Sequence, residues 1–258
     1  MQEIHMHKTK EYRPAHETAR KMHAKTRKPL VDVTTGCMAK HILFDIDDTL
    51  FPTSEFAELA RRNAIRAMIE MGMRRSEKEL HTMLMSIIAE KGSNYQNHFN
   101  VLCSRLKERK PARYIAAAVG AYHNTKTTIQ PYPAVPGTLL SLREDGHKIY
   151  VATNGGAIKQ WDKLIRLQIA LFFEDVFVSE ELGKEKSPSF FRHVVKKLGV
   201  EPRDCVMVGD REDADILPAK AVGMHTIRMR TGKRAAIESS AEFQTDDFLD
   251  IPKIVKRL

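Results

Sequence analysis

Hydrophobic positions along the chain settle into no sustained period of 3.6 or of 2 before Met38, where "MAKHILFD" reads as a buried strand. From about Thr53 to Thr128 the spacing turns helical. "SEFAELARRNAIRAMIEMG" places Phe56, Leu59, Ala60, Ala64, Ala67 and Met68 on one face and stops at Gly72. "SEKELHTMLMSIIAEKG" opens on a capping box, Ser76 with Glu79, and ends at Gly92. "NYQNHFNVLCSRLKERK" and "PARYIAAAVGAYHNTK" predict two more helices, the second with Pro111 in its first turn. After "IQPYPAVPG" short apolar runs alternate with helical segments. Lys148–Ala152, Val176–Val178, Cys205–Val208 and His225–Met229 read as strands. The helices between them run through Trp161 and Leu164, through Phe190, Val194 and Leu198, and through Ile216 and Ala221.

Strand–helix alternation predicts a Rossmann-like α/β fold, a doubly wound parallel sheet covered on both faces. The expected organisation is a core of residues 38–52 and 131–258 interrupted by an all-helical insert, 53–130. Residues 1–37 precede it as a basic, disordered extension in which Ala15–Lys28 has some helical character. Met38 is the expected start of the folded domain and a candidate for the true start of translation. There is no internal repeat and no low-complexity tract.

Composition narrows the class. The chain is 42% hydrophobic and 29% charged, ordinary for a soluble globular protein. It has no apolar run of the roughly 18 residues needed to span a bilayer and no secretory h-region. Cys37, Cys103 and Cys205 are scattered, which suits reduced thiols in a cytoplasm and gives no metal-type spacing. The net charge is +9, and the first forty residues hold nine Lys and Arg against four Asp and Glu, a net of +5. A basic arm of this kind supports at most a weak, salt-sensitive contact with a polyanion, and nucleic acid is not the expected partner. His5 and His7 lie in it without a zinc-type ligand set.

The chemistry lies at the strand ends. In "KHILFDIDDTLFPT" an apolar run leads straight into Asp45, Asp47 and Asp48. The second strand ends in Thr153 and Asn154, then Gly155 and Gly156. The fourth ends in Gly209 and Asp210, with Asp213 and Asp215 following. In an open parallel sheet ligands bind beyond the carboxyl ends of the strands. Side by side, these ends would build one acidic pocket suited to a hard cation such as Mg²⁺. In extended chain Asp45 and Asp47 point the same way, about 6–7 Å apart, leaving room for a phosphorus atom between them. A lone D-x-D after a strand is more often structural than catalytic. The conjunction with "TNGG" and "GDREDAD" favours a site.

The motifs "DIDDTL", "VATNGG", a lysine before "SPSFF", and "VGDREDADI" resemble, in order, the four motifs of the haloacid dehalogenase superfamily of phosphohydrolases. The resemblance spans about Met38 to Leu258, and the helical insert resembles the C1-type cap. "YPAVPGTLLSLREDGHKIYVATNGG" and "NYQNHFNVL" are most similar to the branch of archaeal glyceraldehyde 3-phosphate phosphatases. The resemblance implies that Asp45 is the nucleophile and a Mg²⁺ ligand. Asp47 is then the general acid/base and binds the metal through its main-chain carbonyl. Thr153 and the N–H of Asn154 hold the phosphoryl group. Asp210 binds the metal, Asp215 supports the metal site directly or through water, and Lys186 holds Asp45 and the phosphoryl oxygens. Position 48 is commonly Gly in this family and is Asp here. The lysine loop "GKEKSPSFF" is one residue short of the usual pattern, so Lys184 is an alternative to Lys186.

The expected activity is Mg²⁺-dependent hydrolysis of a small phosphate monoester, a triose or other sugar phosphate, through an aspartyl phosphate. A 5′-nucleotidase, a phosphomutase, or a phosphate-binding protein without turnover would carry the same residues. Asp47 argues against dehalogenase and phosphonatase chemistry, since the enzymes of those branches lack a carboxylate there. A receiver-like domain also gathers Asp, Thr and Lys around Mg²⁺, but its acceptor Asp is not followed two residues later by another. Asp213 reads as solvated. Met68, Met71, Met73, Met83 and Met85 read as packing between insert and core, and Trp161 as a partly buried helix residue. Tyr95 and His98 either face the substrate or pack a helix.

Overall fold

The computed structural model describes residues 40–93 and 95–258. The expectations for the basic segment 1–37, for Cys37 and for a start at Met38 fall outside those residues.

Six strands form one sheet: β1 (His41–Phe44), β2 (Lys148–Thr153), β3 (Asp175–Val178), β4 (Cys205–Gly209), β5 (His225–Met229) and β6 (Phe243–Thr245). Their order is β3-β2-β1-β4-β5-β6 and every pairing is parallel. The doubly wound sheet expected from the sequence is therefore present. β6, an edge strand of three residues, is an addition; it is too short to show a period.

Four helices follow β1 directly: α1 (Thr53–Glu70), α2 (Glu77–Lys91), α3 (His98–Arg105) and α4 (Pro111–Lys126). They bury an apolar cluster of their own, built from Ala64, Ile65, Met68, Leu80, Leu84, Ile87, Leu102, Tyr114 and Ala118. Small residues on facing surfaces, Ala60 and Ala64 of α1 and Ala118 of α4, let these two helices lie close. Ser76 caps α2 by accepting from the Glu79 N–H at 3.2 Å. Three details differ from the sequence reading. Leu59 is 46% exposed and Ile65 takes its place in the cluster, because α1 packs along the Ala60–Ala64–Met68 stripe. Met68, Met73 and Met83 pack within the helical cluster rather than between it and the sheet. Helix α3 is shorter than "NYQNHFNVLCSRLKERK", ending where Lys107 turns to φ +55°.

The sheet is buried on both faces by alternation. Ile42 and Phe44 join Ile149, Val151, Val206 and Val208 under α5 (Val135–Glu144) and α6 (Ala157–Arg166). Leu43, Tyr150 and Met207 face the other way, against Phe190, Phe191 and Val194. The short α7 (Ser179–Leu182) follows β3, and α8 (Pro188–Leu198) carries those phenylalanines. After β4 the expected single helix is a π-helical turn, Glu212–Ile216, followed by α9 (Leu217–Lys220). Pro218 cannot donate a main-chain bond, so the wide turn is not drawn into a regular helix. Helix α10 (Ile251–Val255) closes the chain on the face of β1 that bears Phe44. Among the described residues no helix is long and apolar enough to cross a membrane. Cys103 and Cys205 are buried free thiols.

Register decides where the strands end. Phe44 is level with Val151 on β2 and Val208 on β4. The chain winds from β1 outward to β3, then returns to place β4 on β1's other side. The reversal lies between β1 and β4, and the crevice beyond it is where a doubly wound sheet takes ligands.

Candidate active site

Asp45 is the first residue after β1, and its N–H is tied to the Val208 carbonyl at 2.9 Å. That bond carries the carboxylate into the crevice, where Asp45 is 5% exposed. Asp210 follows β4 and Asp215 sits on the π turn, both essentially buried. Asp45, Asp210 and Asp215 each offer a carboxylate oxygen, and these oxygens lie within 4.8 Å of one another. The close approach of the turn to β4 requires glycine: a Cβ on Gly209 would lie 2.7 Å from the Asp215 Cβ. The Arg211 N–H donates to Asp215 Oδ2 at 3.0 Å and fixes the side chain.

Lys186 supplies the counter-charge. Its ammonium donates to Asp45 Oδ1 at 2.5 Å, to Asp215 Oδ1, and to the Ala152 carbonyl at 3.3 Å. Three N–H donors thus meet three acceptors. Lys186 precedes Ser187, which caps α8, and Pro188 in that helix's first turn. Its N–H donates to Asn154 Oδ1 at 2.7 Å. Lys184, the alternative from sequence, is half-buried, and its N–H closes the turn on the Ser179 carbonyl. The shortened loop still delivers a lysine because the helix begins immediately after Lys186.

Thr153 closes β2, buried, level with Val178 on β3. Asn154 spends its side-chain oxygen on the Lys186 N–H, and its carbonyl accepts from Gln160 Nε2 at 2.8 Å. Gly155, at φ +127°, permits the sharp exit; a Cβ there would meet Gln160 Nε2 at 2.6 Å.

The Asp47 side chain lies apart from the acidic triad. Both its oxygens accept from Lys163 Nζ, at 2.6 and 2.7 Å, and Oδ1 also accepts from Thr53 Oγ1 at 2.7 Å. Asp48 has φ +55°, which explains the family's preference for Gly here. Its carboxylate accepts from the Ser54 N–H at 2.8 Å and the Ser54 hydroxyl at 2.5 Å, so the departure from Gly is locally satisfied. Asp213 is exposed and pairs with Arg211. Tyr95 and His98 stack edge to face at 5.4 Å, and His98 Nε2 lies 2.9 Å from the Gly92 carbonyl, the helix-packing role of the two alternatives.

Burial and charge crowding shift the proton affinities of Asp45, Asp210 and Lys186. Burial pushes the Asp210 carboxyl up to about 7, and Asp45 and Asp215 push the same way. Burial raises Asp45 as well, against the pull of Lys186. For Lys186 burial acts downward, but Asp215 and Asp45 outweigh it and hold the ammonium above its ordinary range. Asp210 Oδ2 is buried without a hydrogen-bond partner; the Arg234 guanidinium stands 3.6 Å away. A purely oxygen donor set with an orphaned buried oxygen fits a hard divalent cation.

Sequence reasoning missed Lys163, Thr53 and Arg228. Arg228 is fully buried and its guanidinium donates to the Asp210 carbonyl at 3.0 Å and to the carbonyls of Arg234, Ile237 and Glu238. Thr53 was accessible to sequence, since α1 begins six residues after Asp47. Nothing local marks Lys163 or Arg228, which reach their partners only through the fold.

A family model described as haloacid dehalogenase-like hydrolase matches residues 39–223. The chain belongs to the haloacid dehalogenase-like hydrolases. It is 48% identical over 221 residues to a glyceraldehyde 3-phosphate phosphatase of Methanopyrus kandleri, covering 84% of this chain and 95% of that one. It is 42% identical over 225 residues to the protein of the same name from Methanocaldococcus jannaschii, covering 86% and 99%. The crystal structure of a phosphatase of the family from Thermococcus onnurineus superposes with a TM-score of 0.58 at 25% identity, covering 84% of this chain and 97% of that one. Within the haloacid dehalogenase-like hydrolases this chain is a phosphoric monoester hydrolase.

Proposed function

We propose that this enzyme is a Mg²⁺-dependent phosphatase of small sugar phosphates, with glyceraldehyde 3-phosphate as first candidate, acting through an aspartyl phosphate on Asp45. The observation that carries the reading is the buried Asp45–Lys186–Asp215 array with Asp210 beside it, at the crossover of the sheet. The substrate assignment is supported by the two phosphatases named above.

Asp45, Asp210 and Asp215 would hold Mg²⁺ with the Asp47 main-chain carbonyl; when bound it neutralises phosphoryl charge and orients the ester. In the first half-reaction an Asp45 oxygen attacks phosphorus. The bond to the ester oxygen breaks, and Asp47 gives its proton to the departing alkoxide. In the second, Asp47 takes a proton from water as that water's oxygen attacks the phosphorus of phospho-Asp45, releasing phosphate and the carboxylate. Lys186 keeps Asp45 ionised and correctly turned. Thr153 and the Asn154 N–H hold the phosphoryl oxygens. The helical segment 53–130 acts as the cap that closes over the pocket, excludes water and selects substrate.

The test is a panel of phosphate monoesters assayed with Mg²⁺ and with EDTA. Triose and sugar phosphates should be turned over with the highest kcat/KM, and EDTA should abolish the activity reversibly. Nucleoside monophosphates at far higher kcat/KM would make it a nucleotidase. Full activity in metal-free buffer would refute the mechanism.

A further inference from the structure

The Asp47 carboxylate is gripped from two sides. Lys163 reaches it from the middle of α6, 116 residues away, and contacts both oxygens at 2.6 and 2.7 Å. Thr53, the first residue of α1, donates to Oδ1 at 2.7 Å. The Lys163 ammonium also stands 6.0 Å over the Phe51 ring, on the short segment joining Asp47 to α1. The pair is only partly exposed, 23% for Lys163 and 39% for Asp47. Carboxylates have a nearly free terminal torsion, so an Asp with one partner samples many orientations. With two donors on Oδ1 and one on Oδ2, both the plane and the position of this carboxylate are set.

We infer that Lys163 is a positioning residue for proton transfer by Asp47. The inference rests on the role given to Asp47 above. Asp45 and Asp47 are two residues apart but serve different atoms, phosphorus and the leaving oxygen. Asp45 is oriented by Lys186 and Asp47 by Lys163, so the two carboxylates can be perturbed separately. Among the described residues Lys163 makes no hydrogen bond or ion pair with Asp45, Asp210 or Asp215. Its loss lets the Asp47 side chain turn about its own bonds, and a displacement of about 1 Å at a reacting group costs on the order of a hundredfold in rate.

The leaving group distinguishes this role from a structural one. An alkyl phosphate such as glycerol 3-phosphate or glyceraldehyde 3-phosphate expels a basic alkoxide that needs the Asp47 proton. p-Nitrophenyl phosphate expels a stable phenolate that does not. The experiment compares wild type, Lys163→Met, Lys163→Arg, Asp47→Asn and the Lys163→Met/Asp47→Asn double variant on both esters with saturating Mg²⁺. Unfolding midpoints and calorimetric Mg²⁺ affinity are measured alongside. In the pre-steady-state rate of leaving-group release, which reports only the first half-reaction, Lys163→Met should lose tenfold to a hundredfold on the alkyl ester and under about threefold on the aryl ester, with KM and Mg²⁺ affinity little changed. Lys163→Arg should recover part of the loss, and Lys163→Met should cost nothing further in the Asp47→Asn background. Equal losses on both esters in that release rate, a loss confined to KM, or no loss would each overturn the inference; the second would make Lys163 a substrate-binding group. A folded wild type that hydrolyses neither ester would refute the phosphatase reading itself, and this inference with it.

Discussion

Replacing Lys186 with Met tests the centre of the site because it removes a charge and keeps the volume of the stem. Lys186, Asp45 and Asp215 are all buried, at 7%, 5% and 0% exposure. Deleting one partner of a buried ion pair costs about 3–5 kcal/mol, since the other is left unpaired. A second route to the magnitude is the escape open to the variant. The cluster can take up one more proton, which at pH 7 costs about 1.4 kcal/mol for each of about three units above an ordinary carboxylate, or about 4 kcal/mol. The two figures agree, so metal-free Lys186→Met is expected to lose about 3–4 kcal/mol at pH 7. The sign with pH follows from the proton count. The folded variant binds about one proton more than folded wild type, while the two unfolded chains titrate alike, so its deficit shrinks as pH falls, to about 1–2 kcal/mol at pH 5. Urea unfolding in EDTA at the two pH values, followed by circular dichroism, measures both. Lys184→Met is the control and should stay within about 0.5 kcal/mol. In Mg²⁺ the Lys186 variant should also lose at least about a hundredfold in kcat, and the Lys184 variant little. A Lys186 deficit below about 1 kcal/mol at pH 7, a deficit that grows on acidification, or equal effects from Lys184 would refute the reasoning.

Two further outcomes are expected. Asp45→Asn should abolish phosphate release while leaving the protein folded, and its metal-free stability at pH 8 should equal or exceed wild type because one crowded negative charge is gone; mass spectrometry of a trapped phosphoryl group on any other residue would refute the nucleophile. The carboxyls of Asp45 and Asp210 are raised on folding, the latter to about 7, so their contribution is fully present below about pH 4 and is lost as pH rises towards 7. Mg²⁺ competes with those protons, so the rise in Tm that it produces should grow between pH 5 and pH 8; a shift that is flat with pH, or absent in wild type and Asp210→Asn alike, would remove Asp210 from the metal site.

The sheet was legible because each buried strand is a short apolar run bounded by polar residues, and the strand-end residues were legible because three such runs stop in oxygen-bearing side chains. Beyond that, distance in the chain sets the limit. The Asp45–Lys186 contact joins positions 141 apart, and only its resemblance to a known motif made it accessible. Lys163 lies in "KQWDKLIR", which reads as an ordinary amphipathic helix whose charged face meets water. Whether that face meets a carboxylate depends on how α6 packs beside the segment from Asp47 to Phe51, which no local pattern encodes. The π turn was misread for a related reason. "EDADILPAK" has the composition of a helix, and the one-residue widening that brings Asp215 back to Gly209 leaves the apolar spacing almost unchanged.

The crowding of Asp45, Asp47 and Asp48 in so few residues poses a physical question that the fold resolves by dispersal. Each carboxylate has a different partner from a different element. Asp45 pairs with Lys186 before α8, Asp47 with Lys163 of α6, and Asp48 with the N–H and hydroxyl of Ser54 in α1. Had all three faced one cavity, with Asp210 and Asp215 already there, five carboxylates would have shared a single ammonium. As built, only Asp45 joins Asp210 and Asp215, and Lys186 leaves that cluster two charges negative when fully ionised. A phosphate dianion cannot enter a buried pocket of that sign. The missing charge is that of one divalent cation, and burial, with the same crowding, raises the Asp210 carboxyl. Asp47 is paired separately by Lys163, although, beside burial, its charge still pushes the Asp45 carboxyl upward. In the mechanism proposed above the two carboxylates then serve different atoms, Asp45 the phosphorus and Asp47 the leaving oxygen, and each is held by a lysine of its own from a different part of the fold.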